Sequence, residues 1–472
     1  MQRQSSVFQE LNWRQPERII DLYVECKNFS NGLIMGKGVF SLESMAKKYN
    51  CETNYLADDK TNLRERLGQN KVTVSEIENV KRYNIEDVLV TERLFNFWEK
   101  AYDRIYQGGI VWLQALERGQ HARVAAEAGR NGYPVDTNAW DKFLNKYDEI
   151  LDGVVTNANT ITGCFPKGKF NSIKFAKLIH KHNLQSNWPQ TAKGAFQSDQ
   201  ETLRSVEDIE DFKILKDALY LRGATKLRDV PIDPKDGRSK TMFSLFGAKT
   251  GRTTPSTSKH IPNMAGCFRP FIKAKGAAIM TVDYEQQEFA IAAILSNDDA
   301  MLTAYESGDP YLALGKMSGI IPKDADKNHP MRERFKVYQT SNGWSYKLPP
   351  GSTFRTWGET EGYSENTLRN WIVQAEGCEV LRRAMVKVSD DGFAILGLMH
   401  DELIIEHPMI QEEPEFVQSK VRELMEEASY EVLGWRIKTE AKIILPGERL
   451  YVKHPKDFEL FKFFAEKAGF DV

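Results

Sequence analysis

Long hydrophobic runs are missing from this chain: no stretch approaches the ~20 apolar residues that a membrane span needs. Its first residues, Met1-Gln2-Arg3-Gln4-Ser5-Ser6, hold no hydrophobic signal core, so a cytoplasmic setting and no membrane partner are expected. Cysteine is scarce as well. The five cysteines, Cys26, Cys51, Cys164, Cys267 and Cys378, lie far apart, without paired zinc spacing and in an odd number for bridging, which fits a reducing compartment. Net charge is nearly absent, since 64 Lys and Arg against 66 Asp and Glu leave -2, a balance that selects no partner. There is no internal repeat and no low-complexity segment.

What is present points to several packed units. A chain of 472 residues is too long for one core and suggests about three domains, and 25 Phe, 17 Tyr and 9 Trp are enough to fill them. Positive charge is clustered: from Arg222 to Lys275 there are twelve Lys and Arg against three Asp. Such an island suits a phosphate-rich partner, or else a solvated basic loop.

Two short stretches carry candidate chemistry. In Gly397-Leu398-Met399-His400-Asp401-Glu402-Leu403-Ile404-Ile405, apolar runs on both sides read as two strands, so His400-Asp401-Glu402 falls at a hairpin turn. An ordinary turn of this kind uses Asn-Gly or Asp-Gly. Two acids between apolar walls are locally unfavourable unless the turn is solvated or a divalent cation relieves them. The second stretch is Ala277 to Val282, a strand by composition that ends at Asp283 and is followed by the helix-forming run Glu288 to Leu295. Asp283 at this junction is either a simple helix cap or a functional carboxylate. Although 118 positions separate Asp283 from Asp401, the two could meet at adjacent strand ends and hold two metal ions for displacement at phosphorus.

Other elements follow from pattern. Residues from about Ser75 to Tyr102 read as a helix, with Tyr83 and Asp87 on one face, and Asp136 or Thr137 caps another helix. Arg332 and Lys336, at i and i+4, give a cationic helix face. Beyond Ser364 an apolar stripe of Leu368, Trp371, Ala375, Cys378, Leu381 and Met385 predicts a helix with Gln374, Arg382 and Arg383 off the stripe. A further helix over about 413–432 and a strand over 438–445 complete an α+β core from about residue 270 to the end.

These motifs, in this order, resemble a family A (polymerase I type) DNA polymerase of the bacteriophage and prophage sort. The resemblance rests on Thr250-Gly251-Arg252, on Asp283-Tyr284-Glu285-Gln286-Gln287-Glu288, on Arg332 through Lys336, on Gln374 and on His400-Asp401-Glu402. It covers roughly Gly109 to the C-terminus, and the Asp283 and His400 blocks are its specific parts. What it implies is a palm with a mixed or antiparallel sheet over 271–472, reduced fingers at about 322–364, a helical thumb and basic DNA-binding segment over 109–270, and a remnant of an α/β exonuclease-like domain over 1–108.

It further implies template-directed transfer of dNTPs to a primer 3′-hydroxyl, with two Mg2+ ions, or Mn2+ as substitute, held by Asp283, Asp401 and the Tyr284 carbonyl. Glu402 would support the metal site or touch the primer end, and His400 would approach the primer terminus. Lys336 and Arg332 would meet the phosphates, while Arg252, Gln286 and Gln374 would contact DNA or nucleotide. Glu288 would close off the sugar 2′ position, or simply pair with a nearby cation. The implied partners are primer-template DNA, dNTPs and a processivity or replication factor, acting on a monomer.

The sequence departs from the family pattern twice. No Tyr-Gly pair follows Lys336, and Tyr338 stands too close to fill that place, so most of the fingers are expected to be missing. Residues 16–100 are similar to the end of a proofreading exonuclease domain, with Tyr83 and Asp87 matching its last motif, and without the earlier acids no proofreading is expected. Two other readings stay open: a relative that grips primer-template without synthesis, and a metal-dependent nuclease, which Glu288 and Gln374 disfavour.

Overall fold

A computed structural model describes residues 14, 16–31, 39–51, 73–106, 110–191, 194–224, 226–306, 337–339, 345–347, 354–355, 363–408, 413–452 and 454–472. Arg332, Lys336 and most of the expected fingers segment lie outside the described residues.

The first elements among the described residues are helices. Helix α1 (Leu22–Ser30) starts at Asp21, whose carboxylate accepts from the Tyr23 N–H, and α2 (Ile77–Tyr106) carries Tyr83, buried, and Asp87, half-buried. Helix α3 (Ile110–Asn131) leads to α4 (Thr137–Thr162), which Asp136 caps by accepting from the Ala139 N–H and Gly163 ends at φ 67°. Helix α5 (Glu210–Gly223) packs on α4.

The second half is built on one sheet. Strand β1 (Ala277–Tyr284) runs into α6 (Gln287–Ser296); α7 (Glu365–Asp390) then precedes β2 (Ala394–Met399) and β3 (Glu402–Pro408). Helix α8 (Pro414–Leu433), β4 (Thr439–Ile444) and α9 (Pro455–Ala468) follow. The strand order is β2-β3-β1-β4 and every pairing is antiparallel, so of the two sheet types expected it is the antiparallel one. Two short antiparallel strands, Val337–Gln339 and Ser345–Lys347, also pair.

Both sheet faces are covered, which explains why β1 reads as a continuous apolar run. Met280, Val282 and Tyr284 pack with Ala384 and Met385 of α7 and Val421 and Met425 of α8. From the opposite face Ile279, with Leu396, Ile404 and Ile444, joins Phe271, Phe461 and Phe464, and that cluster extends to Trp140 and Phe143 of α4. At roughly 1.5–3 kcal/mol per large apolar side chain removed from water, these two clusters are what fixes the strand register. No helix among the described residues is long and apolar enough to cross a membrane.

Candidate active site

Register brings the acids together. On β3 Glu402 stands directly opposite Asp283 of β1, and on the other side Asp283 stands opposite Glu440 of β4. Asp401 is the residue before Glu402, in the two-residue turn closed by the Met399–Glu402 pair. Asp283 therefore lies inside a strand, and the helix that follows is capped at Gln286, so it is not the N-cap. Carboxylates directly opposite one another on a sheet repel, about 4.5–5.5 Å apart at Cβ. Nearby cations must offset that repulsion. Lys442, for one, lies 3.5 Å from Glu440.

The turn is unusual in its backbone. His400 has φ 60°, in the left-handed region where a two-residue hairpin ordinarily places Gly or Asn, and Gln286, at the exit of β1, has φ 50°. Both acid-bearing strand ends thus leave the sheet through a left-handed non-glycine residue, each costing on the order of 1 kcal/mol. Such conformations persist where surrounding structure imposes them. Here His400 is exposed at the turn while Met399 and Glu402 on either side of the turn are buried.

Glu402 is 1% exposed, and its Oε1 accepts from the Tyr451 hydroxyl at 2.8 Å. Burial first, then the negative charge of Glu402, push the Tyr451 hydroxyl well above the usual tyrosine range, so it stays a donor. Tyr284 turns the other way: its ring is in the core and its hydroxyl donates to the Met425 carbonyl at 2.5 Å. Of Tyr284 only the backbone is left for the acid side of the strand.

Beside the turn is a cleft of about 550 Å3, lined among others by His400, Arg252, Arg204, Arg269, Arg382 and Asp457. Arg252 reaches Glu288 at 3.4 Å, with both side chains substantially exposed, so the cation partner considered for Glu288 exists. Gln286 is exposed beside it; Gln374 is half-buried on α7 and is not among the residues that line the cleft. Buried Arg382 donates to the Gly251 carbonyl at 2.8 Å, pairs with Glu379 at 2.7 Å and lies 4.4 Å from the Phe246 ring centroid.

Sequence reasoning did not single out Arg204, Glu440 or Tyr451; it counted Arg269 only within the basic island and named Arg382 only as a residue off an apolar stripe. The basic island also looks different once folded. Arg228, Arg238, Lys240, Lys259 and Lys273 pair with Asp148, Glu406, Asp233, Asp229 and Asp136, so much of its charge is used within the molecule.

A structure search finds the polymerase domain of Pol1 from M. smegmatis, in a complex with DNA primer-template and dNTP, at TM-score 0.60 and 17% identity, covering 93% of this chain and 82% of that one. The fold is therefore that of a polymerase domain. In sequence the chain is similar to DNA polymerase I of Aquifex aeolicus, 24% identical over 382 residues and covering 68% of this chain, and of Caldicellulosiruptor bescii, 21% identical with 90% of this chain covered. DNA polymerase I of Mycobacterium bovis is 32% identical over 200 residues, 40% of this chain. By these comparisons the chain is similar in sequence to DNA polymerase I and in fold to a Pol1 polymerase domain. The matches span 63%, 54% and 22% of those three relatives, so the chain covers less than two thirds of their length. No family model matches it.

Proposed function

We propose that the chain synthesises DNA on a template, transferring dNTPs to a primer 3′-hydroxyl. The observation that carries this reading is the register that sets Asp283 beside Glu402 and the Asp401 turn, whose other residue, His400, lines an arginine-rich cleft. Carboxylate and carbonyl oxygens suit Mg2+, or Mn2+ as substitute. Among the described residues no group of three acidic, His or Cys side chains is placed to hold a metal ion by itself. In this reading Asp283, Asp401 and the Tyr284 carbonyl hold the metal ions. When bound, such ions polarise the phosphoryl oxygens and lower the pKa of the primer hydroxyl.

The rest is work for the chain's own residues. Glu402, held by Tyr451, fixes the turn that presents Asp401 and His400 to the primer end. Arg252 and Gln374 grip the primer-template, Gln286 and Glu288 face the nucleotide sugar, and Arg332 and Lys336 neutralise the triphosphate. The division into an exonuclease-like remnant (1–108), a thumb (109–270) and a palm with reduced fingers (271–472) belongs to the same proposal.

Primer extension with Mg2+ and four dNTPs tests it. Asp283→Asn and Asp401→Asn should each reduce the rate by roughly a hundred- to a thousandfold while primer-template binding persists. Extension that continues unchanged in both variants rejects the assignment. Binding should also weaken steeply as salt rises, and a flat response would reject phosphate contact by the cleft.

A further inference from the structure

Helix α1 lies in the first 108 residues, which the proposed chemistry does not use, yet its C-terminal end reaches the loop that carries Arg252. The helix is fixed to α3 by a buried ion pair: Arg118 donates through Nε and Nη2 to the two Glu25 carboxylate oxygens at 2.9 and 2.7 Å. Just before α1, the chain passes so close to α3 that a Cβ on Gly119 would stand 1.9 Å from the Ile19 carbonyl oxygen. From this anchored position Lys27 Nζ donates to the Leu245 carbonyl at 2.9 Å and the Phe246 carbonyl at 3.4 Å. Asn31 Nδ2 donates to the Lys249 carbonyl at 2.7 Å, which also accepts from Trp371 Nε1 at 2.8 Å.

The loop needs this support. Between β-paired Phe243–Ser244 and Thr254–Pro255 it turns through two left-handed residues, Phe246 at φ 48° and Gly251 at φ 83°. Its carbonyls at 245, 246, 249 and 251 are each held by a side chain from α1 or α7, or from Asn31 just past α1. Arg252 is the next residue. Bonds from a charged donor are the stronger kind, and a loop fixed before its ligand arrives avoids an ordering cost on binding.

We propose that α1 is a positioning element for the Arg252 loop, with Lys27 and Asn31 as its positioning residues; this rests on the reading of Arg252 as a DNA contact. Neither residue is among those that line the cleft, so both act through Arg252.

The test uses the full chain and a fluorescent primer-template duplex, with amide hydrogen exchange of residues 247–253 as a readout independent of activity. Lys27→Met with Asn31→Ala should speed exchange in that loop and weaken primer-template binding about three- to tenfold. It should raise KM for primer-template with kcat little changed, and add little to Arg252→Ala. Lys27→Arg should restore most of the loss. Unchanged loop exchange overturns the proposal, as does a binding loss that adds in full to that of Arg252→Ala. If the double variant does not fold, Asn31→Ala alone, which removes one exposed bond, is read by the same criteria. Arg252→Ala without effect on binding would instead overturn the reading of the site, and loop exchange would still decide whether α1 holds the loop.

Discussion

The strand ends that carry the acids and the loop that carries Arg252 are held by opposite means, though His400 beside the acids and Arg252 line the same cleft. Strand β1 is paired along its whole length, with Asp283 flanked by Glu402 and Glu440, and both faces of the sheet are buried. Its position follows from backbone pairing and apolar contact. The loop from Leu245 to Thr253 lies outside the sheet, and side chains distant in sequence hold its carbonyls. Thus the carboxylate proposed for catalysis is located by a strand's own pattern, whereas the cation proposed to meet DNA is located by the rest of the molecule.

The largest expected effect separates two arginines at the cleft. Arg382→Ala removes a guanidinium that is buried against Glu379, Phe246 and the Gly251 carbonyl, and should destabilise the fold by about 3–5 kcal/mol in urea unfolding. Arg252→Ala should change stability by less than about 0.5 kcal/mol, since its pair with Glu288 is exposed. Equal losses in the two variants would break the distinction between a cation that builds the loop and one that the loop presents.

On the sheet side the critical contact is Gly397. The β2–β3 register shifts between Ile395 and Gly397, and a Cβ at Gly397 would lie 1.9 Å from the Tyr133 hydroxyl. Gly397→Ala should therefore cost about 1–3 kcal/mol and, by displacing β2, slow extension as well. Wild-type stability in this variant would show that Tyr133 moves aside freely.

How much of this was legible in the sequence follows the same division. The strand expected over 277–282 spans 277–284 and the helix expected over 413–432 spans 414–433, because apolar periodicity is a local property. The hairpin was readable for that reason, although Glu402, expected at the turn with His400 and Asp401, belongs to β3, and the left-handed backbone at His400 was not readable, since nothing about a histidine announces it. Arg204, Arg269 and Arg382 reach one cleft only through the fold. Counting charge along the chain instead highlighted Arg238 and Lys240, which pair with Glu406 and Asp233.

His121 connects α3 to the loop and gives it a pH dependence. Its Nε2 lies 2.8 Å from the Thr253 hydroxyl, and burial, then the charge of Arg382, lowers its pKa to about 3 from 6.5. Because the folded value lies below the unfolded one, the stabilisation is complete above pH 6.5 and is lost as pH falls towards 3. From pH 7 to 5 this group alone should cost roughly 2 kcal/mol. His121→Gln should flatten that part of the profile; an unchanged slope would show that another group sets it.

The smallest effect on stability tests the residue with two readings. Glu288 stands in the first turn of α6, 3.4 Å from Arg252, and an exposed pair of that length contributes at most about 0.5 kcal/mol. Glu288→Gln keeps the side chain's size and removes its charge, so the melting temperature should barely move. If Glu288 only neutralises Arg252, the variant should bind primer-template somewhat more tightly and discriminate between nucleotides as before. If it closes off the sugar 2′ position, ribonucleotide incorporation should rise by about tenfold at unchanged DNA affinity, since the loss falls on one contact with one hydroxyl position. The proposed site predicts the second outcome. Tighter DNA binding with unaltered sugar selection would leave Glu288 as a partner of the loop, and would move sugar selection away from the start of α6.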